Sequence, residues 1–77
     1  MNTKLAEVTL HIDEDISHDK REEFRDVLLA MDGVMAAAYH DERPHLMIIE
    51  YDPRVVNSIE FVNTAKSNGL HAELIGL

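Results

Sequence analysis

The fold is decided by Val34-Met35-Ala36-Ala37-Ala38-Tyr39-His40, then Asp41-Glu42-Arg43-Pro44, then Leu46-Met47-Ile48-Ile49-Glu50-Tyr51. The first segment is apolar and low in bulk at its three alanines. The last is β-branched at Ile48 and Ile49, which favours a pleated strand. A polar turn ending in proline separates them, so the whole reads as a β-hairpin. Upstream, Phe24, Val27, Leu28 and Met31 recur at i, i+3, i+4 and i+7, one face of a helix. Ser17 is placed to cap it, Asp19, Glu22 and Glu23 sit near the positive end of its dipole, and Gly33 follows as a stop. Further upstream, Val8, Leu10 and Ile12 alternate with Glu7, Thr9 and His11, which predicts a strand over Leu5–Ile12. The acidic loop Asp13-Glu14-Asp15 breaks that pattern. Downstream of the hairpin, Asp52-Pro53 ends the strand, and Asn57 with Glu60 has the spacing of a capping box. A second helix is expected to run to about Asn68 and to bury Ile59, Phe61, Val62 and Ala65. Asn68-Gly69 stops it, and Leu70–Ile75 reads as the last strand.

The order is β-α-β-β-α-β. With two right-handed crossovers it predicts an α+β fold, the ferredoxin-like βαββαβ sandwich. That is a four-stranded antiparallel sheet of order 4-1-3-2 with both helices on one face. At 77 residues the chain is expected to be one domain over 1–77. It has no cysteine, which excludes disulfides, thiolate zinc sites, iron–sulfur clusters and a cysteine nucleophile. A net charge of −8 argues against nucleic acid and anionic membrane as partners and suits a basic protein or cations. The N-terminus has no signal-peptide core and the longest apolar run, Val34–Tyr39, is far too short to cross a bilayer. A cytoplasmic location without membrane insertion is expected. Gly33, Gly69 and Gly76 are isolated, so there is no phosphate loop, and no Ser-His-Asp grouping suggests a nucleophile; an enzyme is not expected. The middle strands lack the stacking aromatics of an RNA-recognition module. An amino-acid-sensing regulatory domain shares the topology and stays open.

This order and length resemble the heavy-metal-associated domain of copper chaperones and metal-pump N-termini, over nearly the whole chain. The anchors are Phe24, Leu28 and Met31 with Gly33-Val34, then Met47, Ile49 and Tyr51-Asp52-Pro53, then Gly69, Ala72 and Leu74. The family binds soft metal through Met-x-Cys-x-x-Cys in the loop opening the first helix. In this register Asp15 takes the methionine position, and Ser17 and Lys20 take the two cysteines. None is a soft ligand, so Cu(I) held by paired thiolates is not implied. Leu70 stands where the family often has an aromatic residue. Lys20 would supply a positive charge where the family carries a metal ion.

The topology implied by that fold brings His11, His18, His40, His45 and His71 toward one end, beside the acidic loop. His11 and His71, both out of phase with the inward-facing residues, are expected on the open sheet face as cross-strand neighbours. With His18, spaced i, i+4 from Glu22, they are the candidate metal ligands. Imidazole and carboxylate suit Zn²⁺, Ni²⁺, Co²⁺ or Cu²⁺. The competing reading makes them solvated surface histidines, and a pH response is a further use. Met31 and Met47 fall on core positions, and Met35 on an exposed one. Leu46, Ile48, Ala36, Ala38 and Ile75 are expected to form an apolar strip on the sheet face that no helix covers. That strip, and the short apolar edge strand beside it, predict a protein partner or a homodimer. Two readings therefore stand: a metal-binding module with histidine and carboxylate ligands, or a cysteine-free interaction module with no metal role.

Overall fold

Val8, Leu10 and Ile12 are buried, while His11 and Thr9 between them are only half-buried, so the period-two pattern forms β1 (Ala6–Ile12). The computed structural model describes residues 4–76. The other elements are α1 (His18–Leu29), β2 (Val34–Ala38), β3 (Leu46–Tyr51), α2 (Ile59–Ser67) and β4 (Ala72–Gly76). All three strand pairings are antiparallel and make one sheet of order β2-β3-β1-β4, the predicted 4-1-3-2 read from the opposite edge. One core joins Val8, Leu10, Met47 and Ile49 of the sheet to Phe24 and Leu28 of α1 and Phe61 and Ala65 of α2. Both helices therefore cover the same face. Met47 is fully buried, Met31 packs against the core edge and Met35 is 59% exposed, as their spacing predicts.

Four boundaries and faces differ from expectation, each for a local reason. β2 ends at Ala38 rather than His40, because Tyr39 turns toward α1 and donates its hydroxyl proton to Glu22 Oε2 at 2.6 Å. β4 begins at Ala72 and leaves His71 outside it; the His71 backbone N–H is taken by Glu14 Oε1 at 2.8 Å. In α2 the buried face is Phe61 and Ala65, whereas Ile59 is 49% exposed and Val62 only partly buried. Phe61 packs edge-to-face on Tyr51, with ring centroids 5.0 Å apart, and this sets the helix rotation. Ile59, two residues away, is then turned about 200° around the axis. The Asn57 side chain accepts the Ile59 N–H at 3.1 Å, but the capping position itself is Ser58, whose side chain makes no cap. Ser17 does cap α1, accepting the Lys20 N–H at 3.1 Å.

Arg21 is a buried charge on the inward face of α1. Its guanidinium donates to the Ile16 carbonyl at 2.6 Å and to Asp41 Oδ1 at 2.9 Å, and lies 5.6 Å from the Tyr39 ring centre. It thus ties the β1–α1 loop to the β2–β3 turn. Replacing it by methionine keeps the stem's packing but orphans the Ile16 carbonyl. A loss of about 1–3 kcal/mol is expected, read as a fall in midpoint on thermal unfolding of several degrees; an unchanged midpoint would show the tie to be idle.

Each edge strand carries one irregularity. Pairing shifts at Met35 in β2, between Val34↔Tyr51 and Ala36↔Glu50. In β4 it shifts at Ile75, between Thr9↔Gly76 and Leu10↔Leu74. Gly33 holds a φ of +91° where the chain turns into β2, and a Cβ there would lie 2.9 Å from Val55.

Candidate metal centre

The antiparallel register of β1 on β4 sets Glu73 opposite His11. Both side chains stand on the open face, out of phase with Leu10, Ile12 and Leu74. Asp13, just past the end of β1, folds back so that its Oδ1 lies 3.2 Å from His11 Nδ1. His11, Asp13 and Glu73 each offer a donor atom, and the three donors lie within 4.8 Å of one another. That is close enough for one ion to reach all three, and one imidazole with two carboxylates is a borderline-to-hard donor set.

His45, the residue before β3, supports this trio. Its ring stacks on His11, with centroids 5.5 Å apart and planes at 18°. Its Nδ1–H donates to the Ile12 carbonyl at 2.7 Å, and its own carbonyl accepts the Ile12 N–H at 2.8 Å. A carbonyl only accepts, so the proton must reside on Nδ1. In the neutral ring Nε2 is then the basic nitrogen, and it faces Asp15 Oδ1 at 3.4 Å. A ring nitrogen anchored to a backbone carbonyl is the arrangement that orients histidines at metal sites.

His71 does not stand opposite His11; the register gives that place to Glu73. It binds Glu14 through two bonds instead, its backbone N–H to Oε1 at 2.8 Å and Nδ1 to Oε2 at 2.6 Å. This side-chain bond, with the charge of Glu14, raises the His71 pKa above its ordinary 6.5. The same bond lowers Glu14 below 4.5. The raised histidine stabilises the fold below about pH 6.5 and loses that effect as pH climbs through its folded pKa; the lowered carboxylate does so above about pH 4.5 and loses it as pH falls. The pair therefore contributes fully between those two values. His71→Asn should flatten thermal midpoints measured between about pH 6 and about pH 9; an unaltered slope would remove the pair from the pH response.

His18 sits on the far side of the same end. Its Nδ1 is 3.1 Å from Asp41 Oδ1, and Tyr39 stands edge-on at 5.7 Å. Asp41 is held below its ordinary pKa by the His18 bond first and Arg21 second. The Tyr39 hydroxyl is pushed up to about 12 by desolvation and by its bond to Glu22. His40 lies exposed beside the same turn and its carbonyl accepts the Arg43 N–H at 2.9 Å. All five histidines thus gather at one end, as the topology predicts, but they divide: His11 with His45, His71 with Glu14, His18 with Asp41. The sequence places Asp13 and His45 at this end without naming either as part of the centre, and it misses Glu73. The outward phase of Glu73 on the last strand is the one signal that pointed to it.

The positions that resemble the family's soft ligands do not fit Cu(I). Ser17 Oγ is committed to the Lys20 N–H, Lys20 Nζ lies 3.4 Å from Glu23 Oε1, and Asp15 presents a carboxylate to His45. On the rest of the open face, Ala36, Ala38 and Ile75 are exposed and Leu46 and Ile48 half-buried. Leu46 is paired with His11, so the apolar strip abuts the candidate centre. Among the described residues no helix is long and apolar enough to cross a membrane.

No protein-family model matches the sequence, and no curated protein matches it. Solved structures do match. A copper-binding domain from HMA7, a P-type ATPase, aligns with a TM-score of 0.82 at 14% identity, covering 91% of this chain and 93% of that one. The putative copper-ion-binding protein from Bacillus anthracis str. Ames aligns at 0.82 and 12% identity, over 94% of this chain and all of that one, 100%. Oxidized MerP from Ralstonia metallidurans CH34 gives 0.82 at 11%, over 92% and 97%. The chain has the fold of a heavy-metal-associated domain, nearly end to end.

Proposed function

We propose that the chain is a small, non-enzymatic binding module that holds one borderline divalent cation, Zn²⁺, Ni²⁺, Co²⁺ or Cu²⁺, through His11, Asp13 and Glu73. The observation that carries this is the convergence of the three donors within 4.8 Å at one end of the fold. His45 orients His11 by stacking. His71 and His18, each engaged by its own carboxylate, stand around the centre and hold the neighbouring loops. The fold's resemblance to copper-binding domains supports a metal-handling role, while Ser17 and Lys20 direct it away from Cu(I). Calorimetric titration with each of the four ions tests it. Sub-micromolar, one-to-one binding is expected for at least one ion; nothing tighter than about 0.1 mM, the range of weak surface sites, would sink the reading.

A second reading rests on the exposed strip of Ala36, Ala38 and Ile75 beside half-buried Leu46 and Ile48. A protein partner or a second copy would cover it. Replacing Ile48 with lysine and weighing both proteins in solution tests the homodimer, which fails if the unaltered chain is already a monomer.

A further inference from the structure

The two ends of the fold differ in kind. β1, β2 and α2 begin at the end away from the histidines, and α1, β3 and β4 finish there. Of the six exposed large apolar side chains among the described residues, five lie at that end. They are Leu5 before β1, Leu29 in the last turn of α1, Met35 in β2, Val55 after β3 and Ile59 opening α2. Exposed apolar residues scattered singly are ordinary, but a gathering at one pole marks a contact surface. The pole is also held firm. The Asp52 N–H donates to the Gly33 carbonyl at 2.8 Å, and the Asp52 carbonyl accepts the N–H groups of Val55 and Val56 at 3.0 and 3.1 Å. Val55 is thereby seated beside Gly33 and remains 58% exposed. A surface already ordered loses little freedom on binding.

Charge decides what covers it. Glu7 and Glu50 stand directly opposite each other on the open sheet face at this end, a like-charge pair that costs stability unless a cation meets it. Asp32, after α1, and Glu60, in the first turn of α2, are exposed there too. None of these four carboxylates forms an ion pair among the described residues. Arg54 at the same end is engaged by Asp52 through two bonds, at 2.9 and 3.1 Å, which leaves Lys4 against four acids. A second copy would press a like acidic rim against this one, and an anionic lipid surface would be repelled in the same way.

We propose that this end docks a basic amphipathic segment of a partner protein. Its apolar side chains lie on Leu29, Met35 and Val55, and its lysines or arginines meet Glu7, Glu50, Asp32 and Glu60. The docking surface is separate from the candidate metal centre and leaves the histidine end open while the partner is bound.

The full chain and a fluorescent synthetic helix test this. The probe is about 18 residues of leucine and lysine, with the leucines on one face. Binding read by anisotropy is expected with a Kd on the order of 10 µM. Val55→Glu and Leu29→Glu should each weaken it about tenfold, although both make the protein more negative. Circular dichroism confirms that the variants are folded. Ser67→Glu adds the same charge at the histidine end and should not weaken binding. Absence of binding, full binding by both pole variants, or equal binding of a scrambled peptide of the same composition overturns the proposal. So does equal binding of a leucine–glutamate helix. A chain that sediments alone as a dimer, and as a monomer in Val55→Glu, assigns the end to a second copy and overturns it as well.

Discussion

Alanine at His11 is expected to weaken divalent-metal binding by at least about a hundredfold, since even the loss of a residue that only orients a ligand costs ~10–100-fold. His11 is the only imidazole in the trio. Without it two carboxylates remain, a hard donor pair that holds Zn²⁺, Ni²⁺ or Cu²⁺ poorly. The residue is half-buried on the uncovered sheet face and belongs to no core contact, so the fold should survive. Calorimetry gives the affinity, and circular dichroism confirms that the variant is folded. Glu73→Gln, which keeps the shape and removes the charge, should act in the same direction. Both variants binding as the unaltered chain does would remove the site.

Phe61→Ala should unfold the protein. The ring is fully buried and meets Tyr51 edge-to-face. Truncating a core phenylalanine costs about 3–5 kcal/mol, and a domain of this size holds only about 3–5 kcal/mol in total. With no cysteine there is no cross-link to offset the loss. Loss of the cooperative transition in chemical denaturation is the expected reading, and Ile59→Ala, on the exposed side of the same helix, is the contrast that should change little. A cooperative Phe61→Ala would mean that the core repacks around the cavity.

The architecture was legible because its signals are local. Alternation in Val8-Thr9-Leu10-His11-Ile12, the helical spacing of Phe24 and Leu28, and the turn before Leu46 each depend on a few neighbouring residues. Ile59 was misassigned because two apolar residues two apart cannot share a narrow helix face, and the choice between them is made by Tyr51, a residue on another element. Arg21 was unreadable for a similar reason. A basic residue early in a helix looks solvated until the Ile16 carbonyl and Asp41 are seen to enclose it. The site was half legible. Topology alone gathers the histidines at one end, but which side chains meet depends on register. His11 faces Glu73 instead of His71 because both share the outward phase and β4 pairs with β1 in a register, two residues along, that its own residues do not encode.

The two pairing shifts at Met35 and Ile75 have a consequence for how this chain behaves at high concentration. They fall one on each edge strand, the two places where an open sheet can template another. A bulge bends and twists its strand and leaves a residue unpaired, so a second sheet cannot zip along it in register. An acidic domain with an apolar sheet face is thereby protected from growing into fibrils by edge addition. Any lasting contact between copies is directed to the face, and deleting Met35 should make the chain assemble strand by strand, read as fibril growth at high concentration that the unaltered chain does not show.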